Sequence, residues 1–195
     1  MRSVLLVAIV VASLPPVAAR AETRVLTLDP ARTKITFRLG ATLHEVVGVA
    51  PLARGEIRFD PAGGPAEGEI VFESKRLTTD LASRDEKMHA EVLKTASFPT
   101  ISFQPERVAV LRREAGSAEV ELEGSLSLLG VPHPLVLPAK LSSSDGRTVE
   151  ITTRATIPYV AWGLADVSNF LLRVDKTVDV EVTAAGLLDG APEGP

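Results

Sequence analysis

Cysteine is absent from this 195-residue chain. Its absence excludes disulfides, cysteine-ligated metal centres, thiol nucleophiles and the modified cysteine of a lipoprotein anchor. Aromatic residues make up only 4% of the chain, so each one on an apolar face is informative. The three histidines, His44, His89 and His133, include no pair at i, i+4 and no H-E-x-x-H. There is no glycine-rich phosphate loop, because Gly63-Gly64 lies in a turn cluster between alternating segments. The net charge of −4 is spread over interspersed acids and bases. That pattern offers nucleic acid no basic stripe and gives an anionic membrane surface no polybasic anchor. No repeat of fixed period is present, which argues against solenoids and propellers.

The one long apolar run is at the start. Val4 to Leu14 follows Arg2, and Ala19-Arg20-Ala21 supplies small residues at the A-x-A positions of a signal peptidase site. The pattern predicts a secretory signal peptide over residues 1–21, too short for a comfortable span, cleaved after Ala21. Export without cysteine fits a periplasmic protein with no stable membrane anchor. The rest is of single-domain length. It is read as one domain over 22–188 followed by a disordered tail over 189–195.

The body alternates with period two. In 118–128, Val120, Leu122, Gly124, Leu126 and Leu128 share one face against Glu119, Glu121, Glu123, Ser125 and Ser127. Leu135, Leu137, Ala139 and Leu141 repeat the pattern, as do Val149, Ile151, Thr153, Ala155 and Ile157, then Val178, Val180 and Val182. Earlier, Ile35, Phe37 and Leu39 share a face, and residues 54–72 read as a hairpin with Ile57, Phe59, Ile70 and Phe72 inward. Residues 107–112 read as an edge strand bulged at Pro105. About seven to nine such strands with regularly spaced turns mean a sandwich or a barrel, and the pattern alone does not choose between them.

One stretch changes period. From about 81 to 94, Met88, Val92 and Leu93 recur at helical spacing. Asp80 or Ser83 is the candidate cap, Asp85 and Glu86 suit the helix start, and Pro99 follows the stop. This segment reads R-D-x-x-M-H-x-E-V-L and then F-P-x-I-x-F, with Ile101 and Phe103 resuming a strand. Further on, 124–134 reads G-S-L-S-L-L-G-V-P-H-P, and near the start come I-T-F at 35–37 and T-L-H-x-x-x-G at 42–48. In this order, over roughly 25–186, the motifs resemble those of the YceI-like family of small secreted lipid-binding proteins. The resemblance implies an all-β fold, a lipocalin-like extended antiparallel β-barrel with one main amphipathic helix inserted near 81–94. It also implies an apolar cavity for a polyisoprenoid chain. One segment departs from the family pattern: Thr156-Ile-Pro158-Tyr159-Val-Ala-Trp162-Gly163 is bulkier than the R-x-D-F-G stretch of that position, which implies a cavity shortened or reshaped there.

No catalytic constellation emerges. Ser125 and Ser127 lie on the outward face of a regular strand, unlike a nucleophile elbow. Glu119, Glu121 and Glu123 form a solvated row. Arg84 and Asp85 either fix the helix or meet a ligand head group. His44 and His89 are a metal site only if they meet in space beside Glu45, Asp85 or Glu86. The reading is therefore a periplasmic binding protein, not an enzyme, that holds a long isoprenoid or similar amphiphile without a cofactor or metal. Its candidate ligand-binding residues are Phe37, Leu39, Phe59 and Phe72, then Met88, Ile101 and Phe103, then Leu122, Leu126, Leu137 and Ile151. Two rivals stay open: a hydrolase or isomerase acting on such a lipid through His44 or His89, and a stress or adhesion scaffold with a filled core. The sequence does not set the oligomeric state, a homodimer included.

Overall fold

The alternating segments close into a barrel. The structure, a computed structural model, describes residues 23–42, 44–168 and 173–189. The signal peptide and nearly all of the tail expected from sequence lie outside them.

Three wall positions are each built from two strands in line. β1 (Arg24–Leu28) and β2 (Lys34–Gly40) are separated by a 3₁₀ turn at Pro30–Arg32, where Asp29 Oδ1 accepts from the Ala31 amide at 2.9 Å. β3 (Glu45–Val49) and β4 (Leu52–Phe59) are separated at Ala50-Pro51. β5 (Gly64–Glu73) and the short β6 (Thr78–Thr79) are separated by a turn at Ser74–Arg76. The other five positions are single long strands: β7 (Thr100–Glu114), β8 (Ser117–Leu128), β9 (Val131–Ser142), β10 (Thr148–Ile157) and β11 (Val178–Asp189). β11 closes the sheet by pairing with β1 through Gly186 to Asp189 and with β2 through Asp179 to Thr183. The result is an eight-position antiparallel barrel. Asp189, assigned to the tail from sequence, is the last paired residue of β11, opposite Val25.

β7 differs from expectation. It is one strand of the barrel wall, paired with β5 on one side and β8 on the other, not an edge. Pro105 is accommodated because the β5 register jumps between Pro65 and Ile70 and the β8 register jumps between Pro105 and Arg107. A bulge leaves unpaired the position whose amide proline lacks. Gly124, opposite Pro105, is needed for the same reason. A Cβ there would lie 2.3 Å from the Gln104 carbonyl oxygen.

The helix is shorter and less regular than expected. α1 (Ala82–Lys87) continues into a π turn at Met88–Val92, closed by the Leu93 amide donating to the Met88 carbonyl at 2.8 Å. Neither Asp80 nor Ser83 caps it. The cap position is Leu81, whose side chain has no oxygen to offer. Asp85 reaches back instead, its Oδ1 accepting from the Thr79 amide at 2.8 Å and the Thr79 hydroxyl at 2.7 Å. So short a helix is not stable alone, and it depends on packing its apolar side against the barrel.

One end of the barrel is sealed. Leu26, Leu28, Leu52 and Val149 form one buried cluster, and Ile57, Ala66 and Val108 form another. Leu28 lies across glycines on both neighbouring strands: Cβ atoms on Gly55 and Gly186 would meet its side chain. At the opposite end a third cluster gathers Leu77, Leu93, Leu128, Ile157, Tyr159 and Leu164 from the helical segment, the strand ends and the 158–164 turn.

Candidate functional site: an apolar cavity inside the barrel

Between the sealed floor and the helix end lies a cavity of about 880 Å³. Side chains alternate across a strand, so the inward positions of every wall strand contribute to it. All eleven candidate residues line it. Phe37 and Leu39 come from β2, Phe59 from β4, Phe72 from β5 and Met88 from the π turn. Ile101 and Phe103 come from β7, Leu122 and Leu126 from β8, Leu137 from β9 and Ile151 from β10.

Burial tells a filled core from a cavity. Leu26 and Phe103 are each 3% exposed, at packed positions. By contrast Phe37, Phe72, Leu122, Leu126, Leu137 and Ile151 point inward yet remain only half-buried. In a close-packed interior these side chains would be covered by neighbours. Here they face open volume. Phe37 is held by its cross-strand partner Gly48, since a Cβ on that glycine would fall on the ring.

The cavity reaches solvent at the helix end, where its walls include the exposed Leu81, Lys87, Glu91 and His44. Arg84 also lines it and pairs with the exposed Asp80 at 3.0 Å. The 158–168 segment supplies Tyr159, Leu164, Asp166 and Ser168. Tyr159 anchors that segment by donating its hydroxyl to the Asp175 carbonyl at 2.8 Å. Burial, then the nearby Asp166 and Asp175 carboxylates, raise its phenol above the ordinary tyrosine range. The Asp166 carboxyl is held below its usual range, chiefly by the Ser168 amide, and it pairs with Lys176 at 3.5 Å. Trp162, from the bulky stretch at 156–163, stacks on His133 with ring centroids 4.5 Å apart and planes 3° from parallel.

Sequence reasoning named neither the floor residues nor the 159–168 residues as ligand contacts. Leu26 and Leu28 alternate with Val25 and Thr27, so parity could have found them. Tyr159, Leu164 and Asp166 lie in an irregular segment with no period to read.

The histidines do not assemble into a site. His44 lines the mouth of the cavity, but His89 does not. The His89 Nδ1 is buried with no hydrogen-bond partner among the described residues. Among those residues no group of three or more His, Asp or Glu side chains could hold a metal ion, and no helix is long and apolar enough to cross a membrane.

Comparison with known proteins agrees with this architecture. A polyisoprenoid-binding domain from Saccharophagus degradans implicated in plant cell wall breakdown superposes with a TM-score of 0.65 at 18% identity, covering 83% of this chain and 97% of that one. BcnA of Burkholderia cenocepacia superposes with a TM-score of 0.63 at 13% identity, covering 81% and 98%. A UPF0312 protein of Vibrio cholerae serotype O1 is 26% identical over 128 residues, which is 64% of this chain and 66% of the relative, just under two thirds of its length. The YceI-like domain model matches residues 26–185. That span runs from the floor of the barrel through the last closing strand, and the chain belongs to the YceI-like family.

Proposed function

We propose that the protein is an exported carrier that holds one apolar chain lipid, a polyisoprenoid or similar amphiphile, inside the barrel. The observation that carries this reading is the cavity: about 880 Å³, walled mainly by Leu, Ile, Val, Phe and Ala, sealed at one end and charged only at the other. Each methylene transferred from water into such a space contributes about 0.8 kcal/mol, so the tail supplies affinity without a cofactor. Arg84, Lys87, His44 and Glu91 at the mouth suit the polar end of an amphiphile. At about 30 Å³ per heavy atom, the volume of a water molecule in the liquid, the space holds roughly thirty non-hydrogen atoms. A longer chain would protrude. Binding in preference to catalysis is supported by the family match and by the polyisoprenoid-binding domain that shares the fold.

Export is supported by the A-x-A site at 19–21, with Glu22 as the proposed mature start, and the lack of cysteine fits the periplasm. N-terminal sequencing of the protein from its own cell envelope should read from Glu22. The binding reading is tested by mass spectrometry of solvent extracts of that same protein. The expected result is a prenyl or other long-chain lipid near one per chain. Protein that yields no lipid and takes up no apolar fluorophore would leave the scaffold reading in its place.

A further inference from the structure

The barrel wall has a seam. β9 pairs with β8 along its whole length, from Val131 opposite Leu128 to Ser142 opposite Ser117. β10 pairs with β11 along its whole length as well. Between β9 and β10, however, pairing covers only Ser142, Leu141, Lys140 and Ala139, opposite residues 150–153. Beyond that point, 131–138 and 154–157 face each other with no ladder.

The sequence explains the gap. Pro132, Pro134 and Pro138 all fall on one parity of β9. Successive backbone amides of a strand point to alternate edges, and a proline has none to give. The register with β8 is unbroken, so the other parity serves that ladder, and the prolines lie where amides would have pointed at β10. Proline in sheets belongs at such unpaired edges. It also keeps the edge from accepting a strand of another chain.

Both banks of the seam face the cavity, Leu135 and Leu137 on β9 and Ala155 and Ile157 on β10. The seam is shut by side chains: Leu135, Ala155 and Trp162 belong to one apolar cluster. At its upper end Trp162 lies flat on His133. On the outer surface of the same stretch Val136 is 51% exposed.

We propose that this seam is a lateral portal for the ligand, through which the apolar chain enters and leaves the cavity sideways, with the His133–Trp162 stack as its latch. The idea rests on the carrier reading above. Parting any fully paired neighbours would break a long run of backbone hydrogen bonds, whereas along 131–138 no backbone ladder joins β9 to β10. A chain too long for the cavity then has a way out through the wall, and its apolar end need not pass the charged mouth.

The test uses the absence of native cysteine. Continuing the register from Ala139 opposite Thr153 sets Val136 opposite Thr156. The double variant Val136→Cys/Thr156→Cys, joined by oxidation or by a short bis-maleimide, pins the seam. With cis-parinaric acid as the probe, stopped-flow fluorescence should show entry and release about tenfold or more slower in the joined protein than in the unjoined one, with the dissociation constant little changed. Trp162→Ala should release the probe several-fold faster than wild type. If wild type binds the probe and joining the seam leaves both rates unchanged, the portal is wrong and the helix end is the route. If wild type binds no probe at all, it is the carrier reading that fails. Amide exchange then decides the seam without any ligand: the Val136 amide should exchange far faster than its β8-facing neighbours Leu135 and Leu137, and equal protection would overturn the portal.

Discussion

The two ends of the barrel are built from the same strands and are physically opposite. At the floor, Leu28 falls where both neighbouring strands carry glycine, Gly55 and Gly186, and Ala66 is buried in the adjoining cluster with Ile57 and Val108. Large residues over small ones let the wall taper until side chains meet across the axis. Toward the helix end the inward positions of the long strands, such as Leu126, Leu135 and Val180, are separated by the cavity. Closure there falls to an irregular helical turn and to the 158–168 segment, which packs Tyr159 and Leu164 into a buried cluster with Leu77, Leu93, Leu128 and Ile157 and is tied down by the Tyr159 hydroxyl on the Asp175 carbonyl. The floor is therefore closed by the wall strands themselves and the helix end by segments outside the ladder, which puts access at the helix end.

That contrast is broken most severely by emptying the floor. Leu26→Ala removes a side chain that is 3% exposed and packed in the floor cluster, and it should cost about 2–5 kcal/mol. Leu137→Ala removes a residue of the same size from the cavity wall and should cost less than half as much, because its neighbours already lack contacts on one side. Urea unfolding of both variants checks this. Equal losses would mean that the upper barrel is as tightly packed as the floor.

A smaller loss is expected halfway up the wall. Gly124→Ala sets a methyl against the Gln104 carbonyl oxygen and the Phe103 ring, and backbone cannot swing aside as a side chain can. The loss of stability should be about 1–3 kcal/mol. Inward parity alone would leave room at this position for a larger residue, and the bulge at Pro105 removes it. Leu126→Phe, two residues on and facing open volume, should cost under about 1 kcal/mol and reduce the uptake of apolar dye. Glu121→Gln, on the outer face, should change neither. A strong fall in melting temperature for Leu126→Phe would show that the volume beside it is not free.

How much of this was legible in the sequence depended on periodicity. Alternation in β8, β10 and β11 has only one buried face to satisfy, so parity placed Leu122, Leu126 and Ile151 on the cavity wall correctly. The ordered motifs then chose the barrel over the sandwich. What failed was local and irregular. Pro105 read as an edge signal, because one sequence cannot show that two register shifts on either side make room for it. Asp80 and Ser83 read as caps, because the hydrogen bonds from Thr79 to Asp85 depend on where β6 ends. The proline parity in β9 was visible, yet its consequence required knowing which strand lies on each side.

The smallest expected effect comes from the floor turns and concerns pH. Asp145, in the turn before β10, accepts from the Thr148 amide at 2.6 Å and the Arg147 amide at 2.9 Å. These backbone bonds, the Thr148 one first, lower its carboxyl from 3.8 to about 2 although the group is exposed. A carboxyl depressed in the folded state adds stability that is complete above its unfolded value and fades as pH falls from about 4 through about 2. Asp145→Asn should therefore melt below wild type at neutral pH, and the difference should narrow as pH falls from about 4 and vanish only below about 2. Other carboxylates titrate alike in both proteins and cancel in the comparison. Although the turn joins the two strands of the seam, the paired stretch 139–142 with 150–153 lies between it and the open seam, so the variant should exchange cis-parinaric acid at the wild-type rate at every pH. A changed exchange rate would mean that the floor and the mouth are mechanically coupled, and the division of labour between the two ends would no longer hold.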